Sequence, residues 1–125
     1  MNTSKRPVNL DLMTIKQPIM AIVSIMHRLS GVLLFLLMPY MLYALQHSLM
    51  SPESFDRTMH CLHHGFLKFG VWVFFAALIY HGLAGIRHLL MDFGVGETAV
   101  SGRKTAWVVL GLTLVLVVSL GWSLW

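Results

Sequence analysis

Charge is the scarcest commodity in this sequence. Asp, Glu, Lys and Arg together make up 11% of its 125 residues, whereas a soluble domain of this size carries roughly a quarter. A water-facing globular surface cannot be assembled from so little. Cysteine is equally scarce: Cys61 stands alone, which excludes an internal disulfide framework and any self-contained thiolate metal site. Five acidic residues against nine Lys and Arg leave a net charge of +4. The basic residues stand singly or in pairs, without the runs and interleaved aromatics of a nucleic-acid surface, so no nucleic-acid partner is expected. No small-residue cleavage site precedes a polar mature domain, and no cleaved signal peptide is expected. Internal repeats and low-complexity tracts are also lacking.

What is present is apolar. Hydrophobic residues make up 57% of the chain and the mean hydropathy is +0.73, the composition of a membrane protein. Three stretches, at about 19–45, 66–90 and 106–125, approach or exceed the roughly 20 residues that cross a bilayer as a helix. The expectation is an all-α protein, one membrane domain over 1–125, with three transmembrane helices. Pro39 should kink the first span in its outer half. Ser51-Pro52-Glu53 reads as an N-cap, a proline at the first helical position and an acidic first turn, which predicts a short interfacial helix in the first connection. The second connection, 93–103, holds Gly94, Gly96 and Gly102 and reads as a loop. Residues 1–18, with Pro7 amid polar neighbours, read as an extended arm suited to meeting a soluble partner. Trp107, Trp122 and Trp125 mark the ends of the third span as an aromatic belt would. The methionines and Trp72, Phe74 and Phe75 read as packing or lipid-facing residues.

Basic residues set the orientation. Lys5, Arg6 and Lys16 precede the first span, and Arg87, Arg103 and Lys104 flank the second connection. Arg57 and Lys68 alone accompany the first connection. The positive-inside rule therefore places the N-terminus in the cytoplasm and the C-terminus on the opposite side.

One apolar run turns abruptly ionisable, at Tyr80-His81-Gly82-Leu83-Ala84-Gly85-Ile86-Arg87-His88-Leu89-Leu90-Met91-Asp92. On a helix His81, Gly85 and His88 share a face at i, i+4 and i+7, with a notch at Gly85 against which a flat ligand could lie. His81 falls on the order of 10 Å deeper in the hydrocarbon than His88. An intramembrane histidine is either hydrogen-bonded to a neighbouring helix or functional. The functional reading is an axial haem ligand, with Gly82 and Gly85 admitting a porphyrin and with His27, Arg28, Arg87 and His88 placed to pair with its propionates.

The first span opens with a matching polar stripe, Ser24, His27, Arg28 and Gly31, at i, i+3, i+4 and i+7. Arg28 alone would be read as snorkelling to the headgroups. The expected topology, however, brings this stripe to the depth of His81, His88 and Asp92. The cluster of His60, Cys61, His63 and His64 has the wrong spacing for a closed tetrahedral metal site.

The motifs Arg6-Pro7-Val8-Asn9-Leu10-Asp11-Leu12, Ser24-Ile25-Met26-His27-Arg28-Leu29-Ser30-Gly31, His81 with Gly85-Ile86-Arg87-His88, and Met91-Asp92-Phe93-Gly94 together resemble the large cytochrome b membrane-anchor subunit of bacterial succinate dehydrogenase, respiratory complex II. The resemblance spans essentially the whole chain. It implies an inner-membrane subunit that completes a helical bundle with a second small anchor subunit and shares one haem b with it. It also implies docking of an iron-sulfur subunit and a flavoprotein subunit on the cytoplasmic side. By the same resemblance His81 is one axial ligand to the haem iron. Ser24 and Arg28 line a ubiquinone site, His27, Arg28 and His88 lie near the haem propionates or the quinone pocket, and Asp92 delivers protons. Electron transport from succinate oxidation, a step of the tricarboxylic acid cycle performed on another subunit, would then end here on ubiquinone. Three other readings stand beside it: a haem-free structural anchor, the anchor of a fumarate reductase, and a small proton-coupled transporter. The last lacks the repeats or paired broken helices that would support it.

Overall fold

The computed structural model describes residues 17–63 and 65–125. The motif from Arg6 to Leu12, the basic residues Lys5, Arg6 and Lys16, and His64 lie outside the described residues. Four helices follow one another: α1 (Ile19–Ser48), α2 (Pro52–His63), α3 (Gly65–Asp92) and α4 (Ala99–Leu124). Three of them, α1, α3 and α4, are long and apolar enough to cross a membrane. At 1.5 Å per residue they span about 39–45 Å, beyond the roughly 30 Å of hydrocarbon, so their ends reach the headgroup layers.

Local chemistry sets the boundaries. The backbone of Pro18 is extended, and its carbonyl accepts from the amides of Ala21 and Ile22 at 2.9 and 3.3 Å to open α1. Pro39 lies inside α1, which continues through it to Ser48. At the start of α2 the Ser51 hydroxyl accepts from the Ser54 amide at 3.1 Å, the N-cap that the sequence predicts. Behind α3, the Gly94 amide donates to Met91 O and the Val95 amide to Leu90 O, both at 2.9 Å, with Gly94 at φ +80°. This is a Schellman stop, whose left-handed residue favours glycine.

The second connection is shorter than its composition suggests. Thr98 caps α4 by accepting from the Ser101 amide at 3.2 Å, so 99–103 are helical and not loop. Hydropathy locates the apolar part of a helix, whereas a cap locates its beginning. Arg103 and Lys104 thus form an exposed basic first stretch of α4.

The buried core is a thin seam. Val23, Ala84 and Ala106, each 0% exposed, meet with Tyr80 and Val109 where α1, α3 and α4 converge; Leu34, Phe74 and Ala77 form a second cluster farther along α1 and earlier along α3. Most large apolar side chains, Phe35, Leu36 and Leu114 among them, point outward. Lipid tails are as apolar as leucine, so burying such groups gains little in a bilayer; helices associate instead where small residues let backbones approach. The start of α1, the end of α3 and the start of α4 are thereby gathered at one end of the bundle.

Replacing Ala84 by Leu forces a branched side chain into the point where three helices meet. We expect Ala84→Leu to cost about 1–3 kcal/mol, read as a lower midpoint of thermal unfolding in micelles.

Candidate functional site

The polar residues of α1 and α3 meet just inside that end of the bundle. His81 extends across to α1, where its Nδ1 lies 3.2 Å from the His27 carbonyl oxygen and 3.0 Å from Ser30 Oγ. Ser30, 7% exposed, donates its own proton to the same carbonyl at 2.7 Å. The ring of His81 rests on the α1 backbone at Gly31, where a Cβ would come within 3.1 Å of Cε1.

His27 reaches the other way, toward α3. Its imidazole stacks on that of His81 with centroids 4.1 Å apart and planes at 17°, and meets the ring of His88 edgewise at 5.0 Å. The notch at Gly85 is therefore filled: a Cβ there would lie 3.4 Å from His27 Nε2. The sequence pattern offers this notch to a flat ligand, but its occupant here is an imidazole from the neighbouring helix. The face of Gly82 is open, with nothing within 4 Å of the position a Cβ would take.

Other candidate residues are disposed differently. Ser24 is half-buried one turn before His27, and Arg28 is exposed. Asp92 is exposed at the end of α3, beyond His88. The structure moves Arg87 out of the layer in which it was expected. It is 5% exposed and faces α4, donating from Nε to Thr105 Oγ1 at 3.1 Å and from Nη2 to the Gly102 carbonyl at 3.2 Å. Adjacent residues on a helix diverge by about 100°, and this divergence turns Arg87 to α4 while His88 meets His27 of α1. The Arg87 guanidinium fastens α3 to α4.

Sequence reasoning overlooked Ser30 and the Tyr80 hydroxyl, which donates to Val23 O at 2.8 Å. A signal for Ser30 existed: it is a hydroxyl three residues beyond His27 in a stretch bound for lipid. Beside this cluster runs an apolar groove of about 560 Å³ whose lining includes Met26, Leu33, Trp72 and Leu114, with Ser30 and Thr113 as hydroxyls.

Among the described residues no group of three or more His, Cys, Asp or Glu could hold a bare metal ion. A single imidazole offered to an iron that carries its other ligands is a different case. His81 suits it, because a ligating histidine characteristically donates its second ring N–H to a backbone carbonyl. Here Nδ1 makes that contact, and among the described residues Nε2 has no partner. The donor set therefore fits an axial haem ligand.

Comparison with known proteins follows the same line. A family described as succinate dehydrogenase/fumarate reductase transmembrane subunit matches residues 2–120. The succinate dehydrogenase cytochrome b556 subunit of Coxiella burnetii is 45% identical over 123 residues, covering 98% of each chain. Those of Rickettsia typhi and Rickettsia prowazekii are 30% and 29% identical over 113 residues, covering 90% of this chain and 88% of theirs.

The contact at Gly31 separates two glycine substitutions on facing helices. Gly31→Val should lower stability by about 1–3 kcal/mol by driving the His81 ring off α1. Gly82→Ala, in open space, should leave stability unchanged or raise it by up to about 1 kcal/mol. Denaturant titration of the two variants side by side reads the difference.

Proposed function

The chain belongs to the succinate dehydrogenase/fumarate reductase transmembrane-subunit family, and on that premise we propose that it anchors succinate dehydrogenase in the bacterial inner membrane, ligates haem b and forms part of a ubiquinone-reducing site. The observation that carries the proposal is the presentation of His81 between two membrane-crossing helices: Nδ1 is held by α1, and among the described residues Nε2 has no partner. The relatives' names speak of succinate dehydrogenase, which favours that direction over fumarate reduction.

In this reading His81 would hold the haem from this chain, and a second small anchor subunit would hold it from the other side of the interface. His27 and His88, ring against ring beside it, together with Arg28, offer donors to the propionates or to the wall of the quinone pocket. Bound haem contributes a one-electron redox centre. The electrons originate in succinate oxidation on a flavoprotein subunit and arrive through an iron-sulfur subunit, both docked on the side where α1 begins. That side is the cytoplasm by the distribution of Lys and Arg, which leaves the C-terminus in the periplasm.

Reduction of a quinone takes two electrons and two protons, and negative charge develops on its carbonyl oxygens. Prearranged donors stabilise such charge far better in a dry site than water would. The Ser24 hydroxyl and the Arg28 guanidinium, on successive turns of α1, are the donors for this role. Arg28 is exposed in the isolated chain, as a group that completes a site with a partner subunit should be. Asp92, exposed at the end of α3, exchanges protons with water and passes them inward.

Two variants test this within the purified complex. His81→Ala should abolish or strongly alter the reduced-minus-oxidised b-type spectrum, and an unchanged spectrum would remove the ligand assignment in favour of a haem-free anchor. Arg28→Ala should lower quinone reduction at least tenfold, as expected for loss of a charge-stabilising donor, while electron transfer to an artificial acceptor at the soluble subunits persists. Equal loss of both activities would indicate failed assembly instead.

A further inference from the structure

We propose that Ser30 is a positioning residue that, with the His27 carbonyl, fixes His81 in the tautomer carrying its proton on Nδ1 and directs Nε2 toward the iron. This inference rests on the haem-ligand reading of His81 and adds to it a residue, a tautomer and a direction of effect on the haem.

Three polar atoms meet within 3.2 Å of one another: Ser30 Oγ, the His27 carbonyl oxygen and His81 Nδ1. A carbonyl oxygen only accepts, and a serine hydroxyl has one proton to give. Ser30 gives its proton to His27 O, at 2.7 Å the shortest of the three contacts. Both oxygens then present lone pairs to Nδ1. If Nδ1 also carried a lone pair, it would face two acceptors in a half-buried site within the span, an unpaired arrangement that costs about 1–3 kcal/mol. The proton therefore belongs on Nδ1, shared between the two oxygens, and the lone pair of the neutral ring is on Nε2.

Neighbouring geometry keeps the ring from escaping this choice. Turning the imidazole over would set a carbon against the two oxygens and leave Nδ1 elsewhere. The absence of a side chain at Gly31, where Cε1 lies close to the backbone, lets the ring sit flat enough for Nδ1 to reach both partners. The stacked His27 ring covers one face of His81. His27 thus acts twice, through its carbonyl and through its ring.

Hydrogen bonding at Nδ1 has an electronic consequence. Donation to strong acceptors moves electron density onto the imidazole and raises the basicity of Nε2, which strengthens ligation and favours the more highly charged iron. Removing the Ser30 hydroxyl withdraws one of the two acceptors and leaves the other. Ala is a good helix former, so α1 should survive the change.

The test uses the complex purified with its partner subunits, in three variants. Ser30→Ala should weaken haem binding about tenfold or more, raise the haem midpoint potential in a redox titration, and shift the low-spin electron paramagnetic resonance signal. Ser30→Thr keeps a hydroxyl able to reach the i−3 carbonyl and should return all three readouts toward wild type. His81→Ala, run in parallel, tests the ligand reading by itself. If His81→Ala keeps the native spectrum, the haem-ligand reading fails and this inference with it. If His81→Ala loses the spectrum while Ser30→Ala matches wild type in haem affinity and potential, the positioning role alone is overturned. A Thr variant no closer to wild type than the Ala variant overturns it as well.

Discussion

A polar side chain inside a bilayer has no water to fall back on, and α3 answers that constraint four times in the same way. Trp72 donates to Val117 O, Tyr80 to Val23 O, His81 to His27 O and Arg87 to Gly102 O. Two of these acceptors are on α1 and two on α4. Each is a helix carbonyl, which can accept a further donor beside its own helix N–H, so the donor is satisfied without breaking the acceptor's own helix. Interhelical hydrogen bonds of this kind contribute about 0.6–2 kcal/mol each. Together they make α3 the strut to which the two outer spans are tied, and they set the rotation of α3 that presents His81 to α1 and Arg87 to α4.

Apolar packing plays a subordinate part. Val23, Ala84 and Ala106 let the three helices close on one another, but the seam is thin and most bulky side chains lie on the outside. This suits a subunit whose outer faces meet lipid and, in the proposed complex, a second anchor subunit. On the proposed reading it also explains why the chain holds half a site. His81 brings one ligand nitrogen, while Arg28 and Asp92 stand exposed at the end of the bundle nearest the proposed soluble subunits.

Much of this was legible beforehand. The three apolar stretches and the cap at Ser51 follow from local patterns, because composition and capping act within a few residues. The motifs around His27 and His81 marked, in the same way, the helix stretches whose imidazoles meet. What was misplaced depended on rotation about a helix axis. The pattern His81, Gly85, His88 correctly defines a face of α3, yet it cannot say that His27 fills the gap at Gly85. Arg87 was assigned to the histidine layer by its depth near the membrane surface, but depth does not fix the direction in which a side chain leaves the helix. The beginning of α4 was missed because hydropathy is silent about capping hydroxyls such as Thr98.

By itself, then, the sequence determined an all-α chain with three membrane-crossing segments, the depth at which its ionisable residues fall, and the family to which its motifs point. Only the tertiary structure decided which of those residues touch. It joined Ser30, His27 and His81 in one hydrogen-bonded knot and sent Arg87 to the opposite neighbour. The physical reason is that hydropathy and helical period are properties of a single helix, whereas a hydrogen bond between helices depends on their relative rotation and approach. Those are settled by residues scattered along all three spans, from Val23 to Val117.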